Sequence, residues 1–168
     1  RVDARLLDFV EGKTGLAEAL TRRGITTPEL ARPFLNPAHY LCCSPAELPD
    51  LTRTADRIDQ AVQHGETILV WGDFDVDGQT ATAILVSTLR TIGANVRYHI
   101  PVRARESHGV QSDRLAALLD PATRVVLTCD TGVSAHEAAQ TARRRSIDFL
   151  ITDHHTLPAE LPDAFALV

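Results

Sequence analysis

The chain has 168 residues and a formal net charge of −5. Its 44% hydrophobic and 23% charged residues are those of one ordinary globular domain, or one lobe of a larger enzyme, with enough length to bury a core. No stretch approaches the ~20 apolar residues of a membrane span, and no basic segment followed by an apolar one opens the chain. The three cysteines lack metal-type spacing, so a cytoplasmic protein is expected. The acidic balance argues against a surface that grips nucleic acid everywhere, although a cluster of acidic metal ligands would inflate it. With no methionine, even at position 1, a piece of a longer gene product is expected.

Residues 1–64 read as a helical segment. Leu16, Ala19 and Leu20 recur at helical spacing before Gly24, Leu30, Phe34 and Leu35 follow a Thr27-Pro28 start signal, and Asn36-Pro37 ends that helix. From Leu51 the positions Leu51, Ala55, Ile58 and Val62 form one apolar helical stripe that stops at Gly65. From residue 65 onward short apolar runs alternate with helices. Strands are expected at Thr67–Trp71, Val96–Ile100, Arg124–Cys129, Ile147–Thr152 and Ala164–Val168, and helices at Thr80–Ile92, Ser112–Leu119 and Ser134–Arg145. The last helix is expected to open on a Ser134-x-x-Glu137 capping box. This alternation predicts an α/β domain over 65–168: a roughly five-stranded, mostly parallel sheet with helices on both faces. Ligands of such sheets bind at the carboxyl ends of the strands.

Three strand ends carry chemistry. After the first lies Asp73-Phe74-Asp75-Val76-Asp77-Gly78. If the segment is extended, its three carboxylates converge on one side, which a hard divalent cation would neutralise. An EF-hand is excluded because its twelfth position would be Ile84 and the preceding segment reads as strand; a phosphatase with an aspartyl nucleophile remains a competitor. The third run delivers Asp130, with Gly132 permitting a tight turn, and the fourth delivers Asp153-His154-His155, a ligand nitrogen, a second imidazole and an orienting carboxylate. Cys129, His99 and His64 are read as structural or exposed.

The ordered set Asp-x-Asp-x-Asp-Gly, Asp-x-Gly and Asp-His-His resembles the first three motifs of the DHH phosphoesterase family. Arg23-Gly24-Ile25, Phe34-Leu35-Asn36-Pro37 and Gly72-Asp73-Phe74-Asp75-Val76-Asp77-Gly78 resemble its RecJ branch. The segment Ile100–Val110 is similar to that branch's loop ending in Glu-Gly-Tyr-Gly, with Ser107-His108 in place of Gly-Tyr. The resemblance implies that Asp75, Asp77, Asp130 and His154 are metal ligands, that Asp73 assists them and that His155 faces the scissile phosphate. It also implies another metal-binding Asp and a second domain beyond this chain. Oxygen donors with one imidazole and no thiolate suit Mn²⁺ or Mg²⁺, and two ions ~4 Å apart would serve an in-line displacement. Arg103, Arg105 and His108 are candidate phosphate contacts. The implied activity is a metal-dependent single-stranded-DNA exonuclease, of 5′-to-3′ polarity by resemblance, in DNA repair and recombination. The alternatives are a phosphodiesterase of the same family for short oligonucleotides or cyclic dinucleotides, and a catalytically silent scaffold.

Overall fold

The computed structural model describes residues 2–168, and the chain divides into two compact units, Arg1–Ser44 and Pro45–Val168. In the first unit, α1 (Ala4–Phe9), α2 (Thr14–Arg22) and α3 (Pro28–Leu35) enclose a small core of Leu6, Val10, Ala17, Leu20 and Ala31. The Asp3 carboxylate accepts the N–H groups of Arg5 and Leu6 at the start of α1, and the Thr27 hydroxyl accepts that of Leu30 at the start of α3. The expected stripes are partly rotated: Leu20 is buried as read, together with Ala17 and Ala31, whereas Leu16, Leu30, Phe34 and Leu35 are exposed.

The second unit runs α4 (Leu51–Gln63), β1 (Thr67–Trp71), α5 (Val76–Thr91), β2 (Asn95–His99), α6 (Arg103–Glu106), α7 (Ser112–Leu118), β3 (Thr123–Cys129), α8 (His136–Arg144), β4 (Asp148–Thr152) and β5 (Ala166–Leu167). All strand pairs are parallel, in the order β2-β1-β3-β4-β5. The near-continuous apolar strands β1, β3 and β4 are buried on both faces. On one face Ile68, Val70, Val125, Leu127 and Leu150 pack with Ala61 of α4 and Val86 and Leu89 of α5. On the other, Leu69, Trp71, Val126, Phe149 and Ile151 pack with Leu115 of α7 and Ala138, Ala139 and Ala142 of α8. The expected α/β architecture is therefore present, with helices on both faces. Among the described residues no helix is long and apolar enough to cross a membrane.

Several further details differ from the sequence reading, among them helix α6, which it did not anticipate. Helix α4 shares the core of the sheet unit through its fully buried Ala61, so the compact units divide at 44/45 rather than at 64/65. Helix α5 begins at Val76, four residues before Thr80, because Asp75 caps it. Helix α8 begins at His136 with Ala135 at its N-cap, and the Ser134–Glu137 box does not form. The turn before α8 is closed instead by backbone bonds, Ala135 N–H to the Gly132 carbonyl and His136 N–H to that of Ser134.

At the amino end of the sheet the nearly buried Arg57 of α4 donates to Asp148 Oδ2 (2.6 Å), Glu66 Oε2 (2.8 Å) and the Arg124 carbonyl (3.5 Å). Arg57→Ala leaves two half-covered carboxylates unpaired. We expect it to lower unfolding stability by about 2 kcal/mol in denaturant titration, below the full cost of breaking a buried pair because Asp148 is partly solvated.

Candidate metal centre

The strand order reverses between β1 and β3: from β1 the chain moves outward to β2, then returns across the sheet to β3, β4 and β5. A crevice forms at the carboxyl ends of strands at such a switch point. The residues after β1, β3 and β4 meet at this edge.

Beyond β1 the backbone turns sharply. A Cβ on Gly72 would collide with the Thr82 hydroxyl, and one on Gly78 would stand 2.6 Å from both the N and the O of Asp73. Only glycine lets the first turn of α5 lie on the Asp73 backbone. The Asp75 Oδ1 accepts the Gly78 N–H (3.0 Å), leaving Oδ2 for a cation, and Asp77 lies in the first helical turn with an exposed side chain. Helix geometry, not the alternation of an extended segment, thus sets these carboxylates. One oxygen of Asp73, Oδ1, is buried without a hydrogen-bond partner.

Asp130 follows β3 in the left-handed region (φ 59°), an uncommon conformation for a non-glycine residue and one that recurs at functional sites. Its Oδ1 lies 2.9 Å from His154 Nε2, which is also 3.7 Å from Asp77 Oδ2. Asp130, His154 and His155 each offer a ligand atom, all within 4.8 Å of one another. Burial pushes the Asp130 carboxyl above its ordinary range; the bond from His154 opposes this, and the charges of Asp77 and Asp75 add to the rise. A divalent cation would relieve that crowding, and Asp73 Oδ1 is a buried oxygen that lacks a partner without one. Carboxylates with an imidazole suit Mn²⁺ or Mg²⁺, so the residues present fit such an ion.

Asp153, read from sequence only as an orienting carboxylate, is the most committed acid at this edge. Its side chain is buried; Oδ1 accepts His155 Nδ1 (2.7 Å) and the N–H groups of His154 and His155, and Oδ2 accepts the Val133 N–H (3.0 Å). Burial pushes its carboxyl up, yet the bonds from His155 and Val133 outweigh this and hold it below the usual range. The same bond to Asp153 raises the His155 imidazole, assisted by the charges of Asp153, Asp130 and Asp73.

The candidate phosphate contacts divide. The Arg103 guanidinium lies 4.5 Å from the centre of the Phe74 ring, within the acidic turn. Arg105 and His108 are exposed, and among the described residues no contact joins either to the acidic cluster. Cys129, beneath Asp130, is buried against Thr82 with its thiol pushed up by desolvation, consistent with a packing role.

Residues 67–168 match the DHH family, N-terminal domain. The chain is 36% identical over 153 residues to the single-stranded-DNA-specific exonuclease RecJ of Bacillus subtilis, covering 91% of this chain and 20% of that protein. It is 37% identical over 115 residues to the RecJ of Thermus thermophilus, covering 68% and 17% respectively. A crystal structure of exonuclease RecJ bound to manganese superposes with a TM-score of 0.69 at 35% identity, over 76% of this chain and 32% of that one. The crystal structure of the Thermus thermophilus RecJ in complex with Mn²⁺ superposes with a TM-score of 0.66 at 28% identity, over 97% and 22%. The chain thus spans about a fifth of the length of the curated relatives it matches. The sheet with its switch-point acids, the three motifs in order and these similarities lead to one conclusion: the chain belongs to the DHH family, with the RecJ-type form of its N-terminal domain.

Proposed function

We propose that this chain supplies the metal-binding lobe of a single-stranded-DNA exonuclease that depends on Mn²⁺ or Mg²⁺ and acts in DNA repair and recombination in the cytoplasm. The observation that carries the reading is the cluster of Asp77, Asp130, His154 and His155 at the switch point, with Asp73, whose Oδ1 is buried and unpartnered, on the same turn as Asp77. Similarity to RecJ enzymes supports the substrate class. Asp75, Asp77, Asp130 and His154 hold the ions, with Asp73 in support. When bound, such ions supply positive charge that neutralises the phosphodiester and makes water a better nucleophile.

The protein's own groups do the rest. Asp153 fixes the His155 ring through Nδ1, so Nε2 is the atom left for substrate. Held by that carboxylate, His155 presents Nε2 to a phosphate oxygen as charge develops there. Arg103, stacked over Phe74, receives a second phosphate, and Arg105 of α6 and His108 just after that helix approach the strand further along.

The test uses the full-length protein, labelled single-stranded oligonucleotides and short dinucleotides, with Mn²⁺, Mg²⁺ or chelator. Stepwise shortening from the 5′ end, abolished by chelator, is expected. Preference for dinucleotides over longer strands would move the assignment to a small-substrate phosphodiesterase, and inertness toward both would mark a scaffold.

A further inference from the structure

His99 and Glu106 form a pair that the metal-binding residues do not use. His99 ends β2, its ring packed on Trp71 with centroids 4.5 Å apart, and its Nε2 meets Glu106 Oε2 at 2.6 Å; both side chains are nearly buried. Arg114 of α7 also approaches Glu106, Nε to Oε2 at 3.6 Å. The His99 carbonyl accepts the Gly72 N–H (3.0 Å), so the end of β2 and the start of the acidic turn are joined through the backbone.

Helix α6 needs such an anchor. It is a single turn, too short to be stable alone, and Ser107 behind it stands at φ 64°, ψ −152°, a region that is essentially glycine's. Two of its residues tether it: Glu106 to His99 and Arg114 at its end, and Arg103 over Phe74 at its start. Phe74 lies between Asp73 and Asp75, so the second tether ends inside the acidic turn.

We propose that Glu106 is a positioning residue for substrate: by clamping α6 to His99 it holds the Arg103 guanidinium over Phe74, where it receives a phosphate of a single-stranded nucleic acid. The inference rests on the nuclease reading above. Glu106 itself touches no substrate, and its carboxylate is committed to His99 and Arg114. Its effect is on affinity, and it acts through Arg103.

The experiment is a double-mutant cycle in the full-length protein. Binding of a 5′-phosphorylated single-stranded oligonucleotide is titrated with Ca²⁺ in place of Mn²⁺, and cleavage by the wild type is measured separately with Mn²⁺. Arg103→Ala is expected to weaken binding about tenfold and Glu106→Gln about fivefold, as losing a charge-assisted phosphate bond predicts. The double variant should bind within about twofold of Arg103→Ala alone, because without Arg103 there is nothing left to position. Losses that multiply, or a Glu106→Gln protein that binds like wild type, overturn the proposal. If Glu106→Gln does not fold, His99→Gln attacks the clasp from the other side and is read by the same criterion. A wild type that shows this coupling but does not cleave single strands sinks the exonuclease reading and leaves the clasp standing. Cleavage by the wild type with independent losses sinks the clasp alone, and a wild type that does not bind the oligonucleotide overturns both.

Discussion

Replacing His155 by alanine is expected to slow single-turnover cleavage of single-stranded DNA by about a hundredfold or more, while the full-length protein keeps most of its metal and its affinity for DNA. The reason is a division of labour between neighbours. His154 directs Nε2 to Asp130 and Asp77, whereas His155 spends Nδ1 on Asp153, an acid already holding two backbone N–H groups of its own triplet and one from Val133. An imidazole so fixed has only Nε2 left to present to an oxygen that gains charge. Metal content and single-turnover rate, measured side by side, check this. Unchanged cleavage would remove His155 from the chemistry, and loss of metal would make it a ligand. His154→Ala should give the opposite pattern, with metal lost first.

Gly78→Ala is expected to weaken Mn²⁺ binding at least tenfold and to lower stability by about 2 kcal/mol, although the substitution lies within a helix. Helix propensity alone favours alanine over glycine by roughly 1 kcal/mol. Here the added Cβ would stand 2.6 Å from the backbone N and O of Asp73, and a backbone clash has no rotamer through which to relax. Moving α5 away also carries the Asp75 cap and Asp77 with it. Calorimetric titration with Mn²⁺ and thermal unfolding of the full-length protein test both parts. Unaltered metal affinity would show that the close approach of helix and turn does not govern the site.

Much of this was legible in the amino-acid sequence because burial on both faces of a parallel sheet forces an apolar run at each strand. The end of β1 at Trp71 and of β3 at Cys129 could be read directly, and with them the acids that follow. Less legible were features decided by tertiary contact. The capping box before α8 does not form because backbone bonds close that turn and Asp153, from a different strand end, ties down Val133 within it. The start of α5 is hidden because Asp75 serves both as a cap and as a candidate ligand, and an acid at period two looks alike in either role. In the first unit helical spacing identifies α2 and α3 but only part of their inward faces: Leu20 is buried as read, whereas Ala17 and Ala31 take core positions that the spacing did not single out. Glu106 and His99, seven positions apart, carry no periodic signal at all; only the fold of the loop after β2 brings them together.

The placement of the acids on three separate strand ends has a thermodynamic corollary. Asp77, Asp130 and His154 stand far apart in sequence and become neighbours only when β1, β3 and β4 lie side by side. An unfolded chain therefore has no comparable cation-binding site, and a bound ion acts as ballast for the native state by mass action. At a hundred times its dissociation constant such a ligand adds about 2.7 kcal/mol. The same ions that would serve the reaction would thus weight the scale against unfolding, and the scarcity of manganese in a growth medium would be felt as fragility of the sheet before it was felt as slow catalysis.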